Sequence, residues 1–387
     1  MKKLAVVFLF LCMVMGAKAD DIFWVGGNGS WLDQANWSEA TPTWYVPGWV
    51  EGNPANPDST WAENANLAYA YIEDGNPQVT WASRPDGVVQ RVYVNGGHLE
   101  IDADISTWRS YLGNKANSTG TATQISGTHY AGSNMRIGGI NGGTGIYNLQ
   151  GGSLDLTTSY IGDAAGSTGI FNLSGGTLNT MRTTTYLEIG NLGNGQFNQT
   201  GGTALLNRPR LGYQAGSSGI YSISGGSLIV DKYMGAYNNS TFTVSGSGSD
   251  LIDIQQISFN RAVGANINFV VELDADGSTL VQVGTDAASI YNVGALLDNV
   301  IFKVDTLEGF DGQIGDTYDV IWAKNFGIHT TGMSFVNLDS TLFSWAVVNA
   351  VDFGYESGEL LQLTVIPEPA TMLLMSFGSF LFIKRKK

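Results

Sequence analysis

The chain holds three histidines, His98, His129 and His329, and they are spread over three separate regions. A nucleophile–histidine–acid relay needs a hydroxyl and a carboxylate brought to one imidazole, and no local pattern around any of the three supplies them. Between residues 120 and 230 the only acids are Asp155, Asp163 and Glu188. Glycoside cleavage needs two carboxylates facing one bond, which so few acids make improbable. Arg208 and Arg210 stand together with no acid near them in sequence. Asp274-Ala-Asp-Gly277 has the look of a calcium loop but lacks its ligand spacing and downstream glutamate, so it reads as a turn. Asp102 and Asp104 are equally isolated. The one cysteine, Cys12, lies in the apolar leader described below, so the exported chain has no thiolate for catalysis, metal binding or a disulfide. The expectation is a protein that is not an enzyme, with no cofactor and no metal site.

What must position any functional residue is the glycine-rich middle, residues 111–245, which repeats itself. Gly145-Ile-Tyr-Asn-Leu-Gln-Gly-Gly-Ser-Leu returns from Gly169, Gly195 and Gly219, at spacings of 24, 26 and 24. A second box recurs as Tyr-Leu-Gly113, Arg-Ile-Gly138, Tyr-Ile-Gly162, Glu-Ile-Gly190, Arg-Leu-Gly212 and Tyr-Met-Gly235. A fixed period in the low twenties marks a stacked repeat. Within a copy, Tyr147 and Leu149 flank Asn148, and Leu154 and Leu156 flank Asp155, the period of two of a strand with one buried face. Glycine pairs such as 151–152 and 175–176 break these runs where the chain must turn.

The pattern predicts a β-solenoid with rungs about 4.8 Å apart. Tyr147, Phe171, Phe197 and Tyr221 should form one inward column. Leu149, Leu173 and Ile223 should form the next, with Gln199 as its polar exception. Asn148, Asn172 and Asn198 suit an amide ladder. Other outward positions read as Ser, Thr, Asn and Gly.

The 387 residues carry 34 acidic against 19 basic side chains. Seven of the basic ones lie in the ends, at Lys2, Lys3, Lys18 and 384–387, which leaves 12 against 33 acids between residues 20 and 366. Such an acidic body repels polyphosphates, so nucleic acid is not an expected partner. Residues 1–19 read as an export signal, with Lys2 and Lys3, an apolar run from Leu4 to Met15, and a small-x-small end at Ala17-Lys18-Ala19 that would leave Asp20 first.

Residues 20–110 hold eight of the ten tryptophans. The opening Phe23-Trp-Val-Gly-Gly-Asn-Gly-Ser-Trp-Leu-Asp-Gln-Ala-Asn-Trp37 resembles the start of large bacterial surface proteins with autotransporter-like β-strand repeats. Two roles fit Trp24, Trp31 and Trp37. They could cap the open end of the solenoid, whose apolar cross-section needs covering, or they could stack on sugar rings. Arg91 to Ile101 already looks like a repeat copy. Residues 246–365 alternate in strand fashion between Asp-Gly and Gly-Asp turns and read as further coils closing into a β-rich, sandwich-like cap.

Residues 366–387 are the most specific stretch. Pro367-Glu368-Pro369 is followed by an apolar run, Ala370 to Ile383, and then by Lys384-Arg385-Lys386-Lys387. This resembles the PEP-CTERM sorting signal. The resemblance implies recognition by an exosortase, transient residence in the inner membrane, and a cell-surface or extracellular destination in a Gram-negative bacterium that makes exopolysaccharide. Two prolines hold the triplet extended, the apolar run is short for a bilayer, and the cations stop transfer on the cytoplasmic side.

The sequence thus predicts an all-β protein: a right-handed parallel β-helix with a Trp-rich N-terminal cap, a β-rich C-terminal region and a short C-terminal membrane helix. Its expected role is structural or adhesive, with exopolysaccharide as a candidate partner. The alternative is a carbohydrate-binding or carbohydrate-active β-helix.

Overall fold

A computed structural model describes residues 21–23, 28–30, 69–72, 78–81, 89–181, 185–259, 266–286, 294–338 and 342–367. The chain is all β. Its strands coil into a solenoid of about seven turns, and among the described residues the one helical segment is a 3-10 turn, Ala350–Phe353. One coil is made of Thr144–Leu149, Ser153–Leu156 and Ser159–Ile161. The next coil repeats it as Thr168–Leu173, Thr177–Asn179 and Leu187–Ile189. Each strand pairs in parallel with its counterpart one coil on, which generates three sheets along the rod. We call them sheets I, II and III in the order the chain visits them.

Alternation sets inside from outside. Along Thr144–Leu149, Gly145, Tyr147 and Leu149 are buried and their neighbours half-buried. The register Tyr147–Phe171–Phe197–Tyr221 is as the repeat predicts, with ring centroids 5.5, 4.8 and 4.5 Å apart and nearly parallel. The column continues through Phe242, Phe269, Phe302 and Phe335. On the outer surface of sheet I, Asn198 donates to Asn172 and Asn172 donates to Asn148, each at 2.8 Å.

The polar interruptions of the core follow a rule. Gln124 and Gln199 occupy the aliphatic row beside the aromatic column, both buried. Each is followed one coil later by tyrosine rather than phenylalanine. The Tyr147 hydroxyl donates to Gln124 Oε1 at 2.8 Å, and that of Tyr221 donates to Gln199 Oε1 at 2.6 Å. The amide nitrogens donate to the backbone carbonyls of Ser153 and Ser227, both at 2.9 Å. Where the aliphatic row holds Leu149 and Leu173, the following rings are Phe171 and Phe197.

Glycine closes the corner after sheet III. Gly162 has φ 74°, and a Cβ there would press into the Asn194 carbonyl of the next coil. The last box slips. Gly235 pairs with Arg210 instead of falling opposite Gly212, and its φ is not in the left-handed region.

Pairing crosses both ends of the 111–245 array. Upstream, Asp21–Phe23, Tyr69–Ile72, Val89–Val94 and Ile105–Leu112 form successive parallel rungs. Trp24, Trp31 and Trp37 lie outside the described residues, so the expected cap is not described. Downstream, the parallel ladder runs on to Ser334–Asn337. It ends where Thr317–Ala323 pairs antiparallel with Glu359–Ile366, itself antiparallel to Leu342–Asn349. This antiparallel trio extends sheet II and finishes the rod in place of a second, sandwich-like layer. Asp274 belongs to a turn, closed by its bridge to Gly277, and its carboxylate accepts from Ser247.

Replacing Tyr221 by Phe should strand Gln199 Oε1 and destabilise the rod by about 1–3 kcal/mol. Adding Gln199→Leu should recover most of that loss, because it reproduces the Leu173–Phe197 arrangement one coil earlier. Urea unfolding of the single and double variants checks both statements.

Candidate functional site

Among the described residues, two places bring reactive side chains together. The first is inside the rod. His129 is 3 % exposed, and its Nε2 lies 3.1 Å from Thr107 Oγ1 and 3.5 Å from Ser110 Oγ. Its Nδ1 lies 3.1 Å from the Tyr147 hydroxyl. Because that hydroxyl spends its proton on Gln124, Nδ1 must donate to it, and Nε2 accepts from Thr107. The histidine therefore does find hydroxyls, which no sequence-local pattern had indicated. The adjoining cavity, lined by residues such as Ile105, Met135 and Tyr147, is about 10 Å³, room for a single water at most. The cluster fills the position above Tyr147, where the aromatic column gives way to Ala122. Burial lowers the His129 pKa from 6.5 to about 3.

The second place is the outer face of sheet III. The first residue of each Gly-box triplet points there, and register stacks them as Tyr111, Arg136, Tyr160, Glu188 and Arg210. Upstream, Tyr93 pairs with Tyr111, their rings parallel and 4.7 Å apart. The Arg136 guanidinium lies 5.9 Å from the Tyr111 ring and 5.2 Å from that of Tyr160, and its Nη1 meets Asp163 at 2.6 Å. Arg210 Nη1 meets Glu188 at 3.2 Å. Its guanidinium sits 3.5 Å from the Tyr186 ring centroid and 4.5 Å from that of Tyr213.

These contacts overturn two sequence expectations. Arg210 does have an acid beside it, one coil away. Outward positions are not uniformly Ser, Thr, Asn and Gly, because sheet III carries aromatic and charged side chains. The signal was present in the alternating Tyr, Arg and Glu at the head of the box. Burial raises the pKa of Glu188, with Arg210 pulling it back. Burial and then the charges of Glu188 and Asp163 raise that of Tyr160, which keeps its hydroxyl proton at neutral pH. Asp155 stands on sheet II, so the three acids of the middle do not meet.

Of the sequence-predicted site residues, Pro367 directly follows the last strand, Glu359–Ile366. Ala17, Ala19, Asp20, Glu368, Pro369, Lys384, Arg385, Lys386 and Lys387 lie outside the described residues. Among the described residues no helix is long and apolar enough to cross a membrane, and no three metal-binding side chains come together. Compared with protein-family models, curated proteins and solved structures, the chain matches none of them.

His129 makes stability acid-sensitive. Above pH 6.5 it is neutral folded or unfolded and contributes no pH dependence. As pH falls from 6.5 toward 3, the unfolded chain takes a proton that the folded chain refuses, and about 1.4 kcal/mol is lost per unit. His129→Gln should flatten the fall in melting temperature between pH 7 and pH 4 relative to the parent.

Proposed function

We propose that this chain is an exported surface or extracellular-matrix protein, structural or adhesive in role, sorted by an exosortase and associated with exopolysaccharide. One observation carries the reading. The Pro367-Glu368-Pro369 triplet follows without a linker on the last strand of the rod, and an apolar run and four cations come directly after it. An extended, proline-flanked segment is the form that peptidase clefts bind. A run of 14 residues covers about 21 Å as helix, short of a core of about 30 Å, so it suits a temporary hold better than a permanent anchor.

The solenoid fits the same role. Its length grows by whole coils without redesign of the core, and it stands without disulfides. We read its coils as right-handed, the hand of nearly all parallel crossover connections, and the tryptophans of 20–110 as capping or sugar-contacting residues. A second reading, a carbohydrate-binding or carbohydrate-active β-helix, draws on the tyrosines, arginines and two acids of sheet III.

Mass spectrometry of protein extracted from the producing cell's surface tests the sorting. Most molecules should lack residues beyond about Pro369, and Glu368→Ala should leave the full-length form in the membrane fraction. A dominant C-terminal peptide that retains Lys384 would make the tail a plain anchor.

A further inference from the structure

We propose that the outer face of sheet III is a binding face for a carboxylate-bearing polysaccharide laid along the rod. The proposal rests on the polysaccharide association offered above for the class of ligand, and goes beyond it by naming the face and the chemistry.

The first observation is where the cations are. Between residues 20 and 366 the chain has 12 basic and 33 acidic residues, so an even spread would leave every face negative. Yet the sheet III rungs within 89–94, 105–112, 133–137, 159–163, 186–190 and 208–213 carry Arg91, Arg109, Arg136, Arg208 and Arg210 against Asp163 and Glu188, with Asp21 on the first rung of the same ladder. One face of an acidic rod is thus locally basic, with electrostatic complementarity to a polyanion.

The second observation is what the face presents. Tyr93 and Tyr111 stack ring on ring, and guanidinium groups cover the rings of Tyr160, Tyr186 and Tyr213. Ring faces are therefore largely spent on protein neighbours. What remains outward is ring edges, hydroxyls and guanidinium N–H groups, a comb suited to hydrogen-bonding carboxylates and sugar hydroxyls. The rungs are about 4.8 Å apart, close to the advance of one sugar in an extended chain.

Duplex DNA is the poorer match. Its charge is far denser than that of a polyuronate.

The test uses the full chain and immobilised polygalacturonate, its methyl ester, dextran and duplex DNA, with circular dichroism melting of every variant. Polygalacturonate should bind and weaken with added salt. Methyl esterification, which removes the charge and keeps the sugars, should lower affinity by at least about tenfold. Because Arg136→Gln removes the cation beside buried Asp163, leaving it only the hydrogen bond from Asn191, and so weakens the coil itself, the informative variants are Arg109→Gln and Tyr160→Phe, which keep both ion pairs. Their combination should lose at least about tenfold with unchanged melting, while Lys303→Gln on sheet I should bind like the parent. Equal binding of polygalacturonate and its ester, or parental binding by the double variant, would overturn the assignment of this face while leaving polysaccharide association standing. Binding to no polysaccharide at all would remove both. Tighter binding of DNA than of polygalacturonate would make the face a nucleic-acid site and overturn the proposal.

Discussion

Everything in this rod depends on parallel, in-register pairing of each coil with the next. No coil has a core of its own. Tyr147 is covered by Phe171, Phe171 by Phe197, and Phe197 by Tyr221, so burial exists only as stacking. A side-chain choice in one coil therefore constrains the same position in the next. Gln199 requires the hydroxyl of Tyr221, and Gly162 is needed because the Asn194 carbonyl occupies the space a Cβ would take.

The same constraint divides the surface by chemistry. Pairing at about 4.8 Å brings like side chains into columns whether they face in or out. On sheet I the outward column is an amide ladder, Asn148, Asn172 and Asn198, whose members satisfy one another. On sheet III the column is tyrosine, arginine and glutamate, joined by ion pairs and by guanidinium groups laid over rings.

The columns of the repeat were legible because a period near 24 and an alternation of two together specify which residues face inward and which meet. Phe171 over Tyr147 follows from that arithmetic alone. What lay beyond it were contacts between positions with no repeat logic. His129 replaces a leucine of its column, pairing with Leu154, and its hydroxyl partners Thr107 and Ser110 come from the preceding coil. The Arg210–Glu188 pair was missed because the acid is 22 residues away in sequence and one rung away in space. The slip at Gly235 has a similar origin: the box looks intact as a string, but the corner before it is built from different residues. The antiparallel finish was hidden because Leu342–Asn349 and Glu359–Ile366 read as strands without revealing their direction.

The most direct test of the stacking uses the absence of cysteine from the chain after residue 19. With Cys12 replaced by Ala, cysteines placed at Asn172 and Asn198 sit on directly paired rungs facing the same way, within the reach of a disulfide. Cysteines at Asn172 and Gln199 sit one position out of step and face opposite sides. Under mild oxidation the first pair should close to a disulfide in the folded protein and the second should stay reduced. Closure of the second pair with free thiols in the first would contradict the register on which both the core and the sheet III face depend.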